Sequence, residues 1–358
     1  MHAARLLPPR EFTIAAPAAI DSRLRERFER ALEDVVLRAL APAGDSPIVE
    51  QVCWHFGIGN PQSVRHGKRL RPHLLFLTAR AEGGGYDEAL DAALAVELLH
   101  NYSLVHDDIE DGDELRHGRQ TVWARFGAAN GINAGDSMCA VSYLTLLRNS
   151  TGAPVERVAM MTRVLHAANL AMCAGQAYDI GFESARAVTM DAYTAMIEGK
   201  TAVLFGAACA LGAFAAGADE TRAGAYGDLG RAHGRAFQIR DDVLGIWGSR
   251  EETGKSRGTD IAHRKWSFPI VWALAGPPSP ARDAIAARYA RTGTLDAGDV
   301  ETVVRALEAL GARSAADAAW QEQSREAERI AEHHRLDRDG AIEALFASGR
   351  TGVVSALR

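Results

Sequence analysis

Apolar side chains recur along this chain at three- and four-residue steps, the period of one helix face. Between Ile20 and Leu40, IDSRLRERFERALEDVVLRAL sets Leu24, Phe28, Leu32, Val35 and Val36 on one side of a helix, with Asp21 or Ser22 as its N-cap. The same period predicts helices over about 68–82, 87–110, 134–149, 155–181, 189–217, 220–247, 265–275, 281–291, 298–311, 314–334 and 338–347. Gly83-Gly84-Gly85 and Pro277-Pro278 are typical of the punctuation between them. No segment sustains the alternation of a strand, and there is no repeat of fixed period and no long low-complexity linker. The expectation is one all-α domain over 19–358, preceded by a loosely ordered segment over 1–18.

One stretch tests that expectation. Thr201 to Ala218, TAVLFGAACALGAFAAGA, is free of charge and close to the roughly 20 residues that span a bilayer. It is rich in Ala and Gly and flanked by Lys200, Asp219 and Glu220, so it reads as a close-packed helix inside a soluble bundle rather than a transmembrane segment. Arg5, Pro8, Pro9 and Arg10 interrupt the start where a signal peptide needs an unbroken apolar run, which predicts a cytoplasmic protein. Forty Lys and Arg against 46 Asp and Glu give a net charge of −6, leaving no overall field for a nucleic acid. Any polyanion must meet basic residues gathered locally. Cys53, Cys139, Cys173 and Cys209 lie at least 34 residues apart, form no CxxC pair, and read as small buried residues of a reducing compartment.

Charge patterning adds chemistry to the helices. Asp107-Asp108-Ile109-Glu110-Asp111 follows Leu98, Leu99, Leu104 and Val105, so an acidic cluster ends a core helix rather than decorating a surface one. Helix positions four apart differ by about 40° around the axis, which puts Asp107 and Asp111 on one face with Asp108 aside. Paired carboxylates of this kind suit Mg²⁺, which takes one or two of them together with water and substrate phosphates. A second doublet, Asp241-Asp242 in FQIRDDVLG, ends another apolar helical run. Two such helices facing each other would line a mouth with carboxylates on opposite walls, suited to a trinuclear Mg²⁺ site holding a diphosphate.

Basic residues sit close to these motifs: Lys68, Arg69 and Arg71 in GKRLRP, Arg116 after the first motif, Lys200 before Thr201, and Lys255 and Lys265 around Gly258-Thr259-Asp260. Such a set suits diphosphates bound both through metal and directly. Gly254-Lys255-Ser256 resembles the end of a nucleotide-binding loop, but Ser249 stands where that loop requires Gly and the segment follows a helix, not a strand.

In order and spacing these motifs resemble the trans-isoprenyl diphosphate synthases, the polyprenyl synthetase family that includes geranylgeranyl and farnesyl diphosphate synthases. The resemblance runs from about Gly67 to Pro269 through GKRLRP, DDIED with LRHG, GQAYD at 175–179, GKT at 199–201, FQIRDD at 237–242, and GKSRGTD with RKWS. It implies an isoprenoid synthase bundle around a deep central cavity, usually a homodimer, condensing isopentenyl diphosphate with an allylic diphosphate in the presence of Mg²⁺. By the same resemblance Asp107, Asp111 and Asp241 are direct Mg²⁺ ligands, and Asp108, Asp242 and Asp260 are supporting acids. Arg116, Lys200, Lys255 and Lys265 hold the allylic diphosphate. Lys68, Arg71 and His100 bind isopentenyl diphosphate, with Thr201 and Gln238 beside the reacting carbons.

Three positions depart from the family pattern. Gly245 stands where many members have a third Asp, His117 where a second Arg usually contacts isopentenyl diphosphate, and Trp266 where many bacterial members carry Lys. The His117 contact is expected to be weaker or dependent on pH. These departures keep in view a terpene cyclase or irregular coupling enzyme on the same fold; a catalytically silent partner subunit is a third reading, against which the intact DDIED, Asp241 and Lys200 stand. Tyr102 and Ser103, five and four residues before Asp107, lie about one turn deeper on the same helix. By resemblance a Tyr five before the motif suits a C20 product, with C15 next.

Overall fold

The computed structural model describes residues 22–59, 67–249 and 258–336. Asp21, the 1–18 segment, Lys255 and the helix expected over 338–347 lie outside the described residues. The larger part is built from α1 (Ser22–Leu40), α2 (Pro47–Phe56), α3 (Leu70–Ala81), α4 (Tyr86–Glu110), α5 (Val122–Phe126), α6 (Ala128–Leu147) and α7 (Val155–Glu183). There follow α8 (Met190–Ile197), a π turn over Glu198–Ala202, α9 (Val203–Ala215) and α10 (Glu220–Trp247). The remaining helices are α11 (Thr259–Ala262), α12 (Phe268–Ala275), α13 (Pro280–Tyr289), α14 (Ala297–Leu310) and α15 (Ala312–His334).

α9 occupies the centre and packs on α3, α4, α7 and α10, with all thirteen of its residues buried. Small side chains make this possible: a Cβ on Gly212 would overlap the Thr78 hydroxyl and the Leu75 carbonyl of α3. The continuous run Met190–Ala215 is long and apolar enough to cross a membrane, yet 89% of its most apolar window is buried inside the protein. Its apolarity is thus met by neighbouring helices.

Two apolar clusters fill the interior. One joins α1 to α4, α6, α7, α9 and the first half of α10. The other joins α8, the end of α10 and α12 to α15. Trp266 belongs to the second, edge-on to Tyr289 at 5.5 Å, so its indole serves the core and not the cavity mouth.

The structure departs from the sequence expectation in several places. α2 and α5 were not expected; α2 starts on Pro47 and stops at Gly57, whose φ of 72° is left-handed. The helix expected at 134–149 begins at Ala128, and the one expected from 265 begins at Phe268 after the separate short α11. The helix expected over 189–217 is widened by the π turn. Strands are present after all: β1 (Leu115–Arg116) pairs antiparallel with β2 (Arg119–Gln120). His117 and Gly118 turn the hairpin with φ of 53° and 80°, the positive values a tight two-residue turn requires. Of the cysteines only Cys209 is buried; Cys53 and Cys139 are half-buried and Cys173 is exposed, which corrects the reading of all four as buried residues.

Candidate active site

A cavity of about 710 Å³ opens between α3, α4, α7, the π turn and α10, with the hairpin at one side. The C-terminal turn of α4 forms its acidic wall. Asp107 Oδ1 accepts hydrogen bonds from Lys200 Nζ and Gln176 Nε2, both at 3.1 Å, and Asp107 Oδ2 lies 3.6 Å from Arg116. Lys200 also donates to Asp179 at 2.5 Å, and Gln176 to Glu110 at 2.7 Å. Lys265 Nζ lies 3.4 Å from Asp111. Burial opposes ionisation of Asp107, but Lys200, Arg116 and Lys265 outweigh it and hold the carboxyl below its ordinary value. Lys200 is likewise pushed down by burial and raised more strongly by Asp107 and Asp179.

Asp108 borders the same cavity beside Asp107, where the helical spacing predicts that it points aside. It is 2% exposed, and one of its oxygens accepts from Arg116 Nε and Nη2 at 2.8 and 2.7 Å. Burial raises its carboxyl to about 6 against the pull of Arg116. Asp108 therefore anchors Arg116 on the wall.

Lys200 owes its position to the π turn. α7 crosses that turn so closely that a Cβ on Gly175 would overlap the Lys200 nitrogen and the Gly199 carbonyl carbon. A Cβ on Gly199 would in turn lie 2.7 Å from the Gly175 Cα. The glycines of GQAYD and GKT are the two halves of one backbone contact. π turns inside α-helices commonly mark functional positions.

On the opposite wall α10 brings Asp241 into the cavity lining, while Asp242 turns into the core. Asp242 accepts from Tyr193 Oη at 2.6 Å, the Phe268 N–H at 2.7 Å and Gln238 Nε2 at 2.9 Å. Burial pushes its carboxyl up to about 7, opposed by those hydrogen bonds. Gln238 Oε1 accepts from the Thr201 hydroxyl at 2.7 Å, so Thr201, Gln238, Asp242 and Tyr193 form one chain. Next along α10, a Cβ on Gly245 would overlap Oδ2 of Asp260. The space beside the second motif is filled by a carboxylate reaching in from α11.

Among the described residues no group of three or more His, Cys, Asp or Glu is assembled to hold a metal by itself. That suits Mg²⁺, which needs one or two carboxylates and draws its other ligands from water and phosphate. Asp107, Asp111 and Asp241 offer oxygen donors only, and the Lys and Gln groups resting on the first two are themselves suited to a phosphate.

A second set of residues, Lys68, Arg71, His100 and His117, lines the same cavity together with Arg116 of the acidic wall. Arg71 Nη1 lies 3.0 Å from His100 Nε2, and its guanidinium sits 4.8 Å from the centre of the Phe205 ring. Burial first, then Arg71, Arg116 and Arg69, hold His100 well below its ordinary value, so it is neutral and Nε2 accepts from Arg71. Arg69 adopts a left-handed φ of 51° at the start of α3. It pairs with Glu29 at 2.9 Å and Glu97 at 2.5 Å, which ties the start of α3 to α1 and α4.

Tyr102 and Ser103 line the cavity on α4, before the acidic motif. The Tyr102 hydroxyl donates to Asn169 Oδ1 at 2.6 Å, and Asn169 Nδ2 donates to Tyr143 at 3.0 Å. Ser103 folds its hydroxyl back onto the His100 carbonyl at 2.8 Å.

Sequence reasoning quoted GQAYD without giving its polar members a part, yet Gln176 and Asp179, three residues apart on one face of α7, contact the acidic wall and Lys200. It also passed over Glu97, Arg119 and Asn169, whose partners are remote in sequence.

The comparisons with known proteins agree with this geometry. A polyprenyl synthetase family profile matches residues 59–307. The geranylgeranyl diphosphate synthase of Mycobacterium tuberculosis (strain ATCC 25618 / H37Rv) is 37% identical over 305 residues, 84% of this chain and 85% of its own length. The (2E,6E)-farnesyl diphosphate synthase of the same strain is 39% identical over 288 residues, 79% of each chain. The crystal structure of a polyprenyl synthetase from Streptomyces coelicolor A3(2) matches with a TM-score of 0.83 at 30% identity, covering 92% of this chain and 98% of that one. The chain therefore belongs to the polyprenyl synthetase family, the trans-isoprenyl diphosphate synthases, and has their all-α isoprenoid synthase fold.

Proposed function

We propose that this protein is a Mg²⁺-dependent short-chain trans-prenyltransferase that condenses isopentenyl diphosphate with an allylic diphosphate, with C20 geranylgeranyl diphosphate as its main product. The observation that carries the reading is one cavity of about 710 Å³ lined both by a carboxylate wall and by a second basic set that includes Lys68 and Arg71. That arrangement suits two diphosphates, one bound through metal and one bound directly. A cyclase acting on a single diphosphate has no use for the second cluster.

Asp107, Asp111 and Asp241 would hold Mg²⁺, which when bound supplies positive charge to the oxygens of the leaving diphosphate. Lys200, Arg116 and Lys265, which rest on the carboxylates, would turn to the same phosphate oxygens. Thr201 and Gln238 border the cavity with oxygens directed at one another, and would face the carbon from which the diphosphate departs, where positive charge develops. The double bond of isopentenyl diphosphate attacks that carbon, a C–C bond forms, and the proton lost from the adduct passes to the departed diphosphate. Tyr102 closes the deep end and limits chain growth.

Leu144 and Leu147 on α6 and Leu170 on α7 are more than half exposed, which supports a homodimer joined along these helices, and we place its work in the cytoplasm. The test is incubation of the purified protein with Mg²⁺, isopentenyl diphosphate and dimethylallyl, geranyl or farnesyl diphosphate, followed by product identification. Consumption of isopentenyl diphosphate with a dominant C20 product is expected, and chelation should abolish it. A hydrocarbon or alcohol formed without isopentenyl diphosphate would identify a cyclase, and no turnover a silent partner subunit. Asp107→Asn and Asp241→Asn should each lower turnover on the order of 100-fold, about 2.7 kcal/mol of barrier. Near-normal rates in both would sink the metal assignment.

A further inference from the structure

Four guanidiniums, those of Arg69, Arg71, Arg116 and Arg119, line the cavity, and their charges are met in different ways. Arg69 is held between Glu29 and Glu97, and Arg116 by Asp108 with Asp107 behind it. Arg71 and Arg119 have no carboxylate ion-pair partner among the described residues, and each keeps a buried Nε without a hydrogen-bond partner. Buried unpaired N–H groups of charged side chains are costly unless something outside the chain meets them.

Arg119 is held firmly in this position. Its guanidinium stacks over the Trp54 indole, 3.7 Å from the ring centroid, and donates to the Trp54 carbonyl. Trp54 Nε1 donates to the Gln120 carbonyl at 3.0 Å, and Arg125 covers the same indole at 3.9 Å. α2 thus clamps β2. Arg116 and Arg119 are register partners in the hairpin, so their side chains leave the same face. Like charges directly opposite repel; Asp108 already meets Arg116, so the charge of the pair left without a carboxylate is that of Arg119. His55, hydrogen-bonded to Asn101 at 2.9 Å, marks the point of convergence: burial and then Arg116, Arg69 and Arg119 push it down to about 4.

We propose that Arg119 is a direct ligand of the diphosphate that is not bound through the acidic wall, acting together with Arg71 and Lys68. Its position one strand across from Arg116 supplies the second hairpin guanidinium that His117, at the exposed turn, does not carry. A fork bound on β2 can contact phosphate oxygens bidentately, which a histidine cannot do. The inference rests on the two-diphosphate reading of the cavity and assigns one of those diphosphates its recognition residue.

Steady-state kinetics of Arg119→Met and Arg119→Lys test it, with isopentenyl diphosphate varied at saturating allylic diphosphate and then the reverse. Arg119→Met keeps an apolar stem against Trp54 and removes the charge. It should raise the KM for isopentenyl diphosphate about 10-fold or more while the KM for the allylic diphosphate stays within about two-fold. Arg119→Lys should give a smaller rise in the same KM, and it carries the test by the same criterion if Arg119→Met melts early. An unchanged KM for isopentenyl diphosphate, or equal rises in both constants, would overturn the proposal. Wild-type protein that never consumes isopentenyl diphosphate would overturn the two-diphosphate reading itself, whereas wild-type turnover with insensitive variants overturns only the role of Arg119.

Discussion

Tyr102 is held from two sides, by its own helix α4 and by the hydrogen bond from its hydroxyl to Asn169 on α7. Its ring meets His106 edge-on at 5.4 Å, which fixes its orientation in the cavity lining, the position the proposed chain-length role requires. Tyr102→Ala should therefore shift products from C20 toward longer chains and cost about 3 kcal/mol of stability through the void it leaves. Product chromatography and thermal melting read the two effects separately, and an unchanged product distribution would remove Tyr102 from chain-length control. At this scale the sequence was informative where helical spacing decided direction, since Asp107 lines the cavity, but it misplaced Asp108, which borders the same cavity while bound to Arg116. It was silent where direction depends on a distant partner. Nothing local says that Asp242 turns to Tyr193 and the Phe268 N–H, or that the carboxylate of Asp260 fills the space beside Gly245.

Between elements, the crossing of α7 over the π turn decides where Lys200 points. The Gly175–Gly199 contact leaves no room for even a methyl group, so Gly175→Ala must push the two segments apart and carry Lys200 away from Asp107. Overpacking of this kind costs about 1–3 kcal/mol, and a lower melting temperature together with at least a 10-fold loss of turnover is expected. A variant with wild-type kinetics would mean that the π turn serves packing alone. The long helices were legible because each shows a continuous apolar stripe over three or more turns. The π turn was not, because it arises from contact between α7 and the α8–α9 rod that follows it, which the periodicity within either segment does not show. The hairpin was hidden for a different reason: two residues per strand are too few to show alternation, and its place is fixed by Trp54 from α2 and by Arg116 on Asp108.

Across the whole molecule, the interior holds titratable groups that pull stability in opposite directions with pH. Burial pushes His55, His73 and His233 down to about 4 and His100 well below its ordinary value. An unfolded histidine binds its proton near pH 6.5, so as pH falls from about 6.5 toward 4 the unfolded chain takes up protons that the folded one refuses. Each of these groups then destabilises the fold. Asp108 and Asp242 act oppositely, because burial raises them to about 6 and about 7. The folded state holds their protons when unfolded carboxyls have lost theirs, a contribution complete below about pH 4 and lost as pH rises through 6 and 7. Four groups against two leave a net loss on acidification on the order of a few kcal/mol between pH 7 and 4.5. Urea midpoints should therefore fall steeply below pH 6.5, and His233→Gln, which alters a group outside the cavity lining, should make that fall shallower by about one proton's worth of slope. The same variant should leave the substrate KM values unchanged. A midpoint that stays level from pH 7 to 5 would mean that the interior histidines gain protons without unfolding, and that the core opens to water on that side of α10.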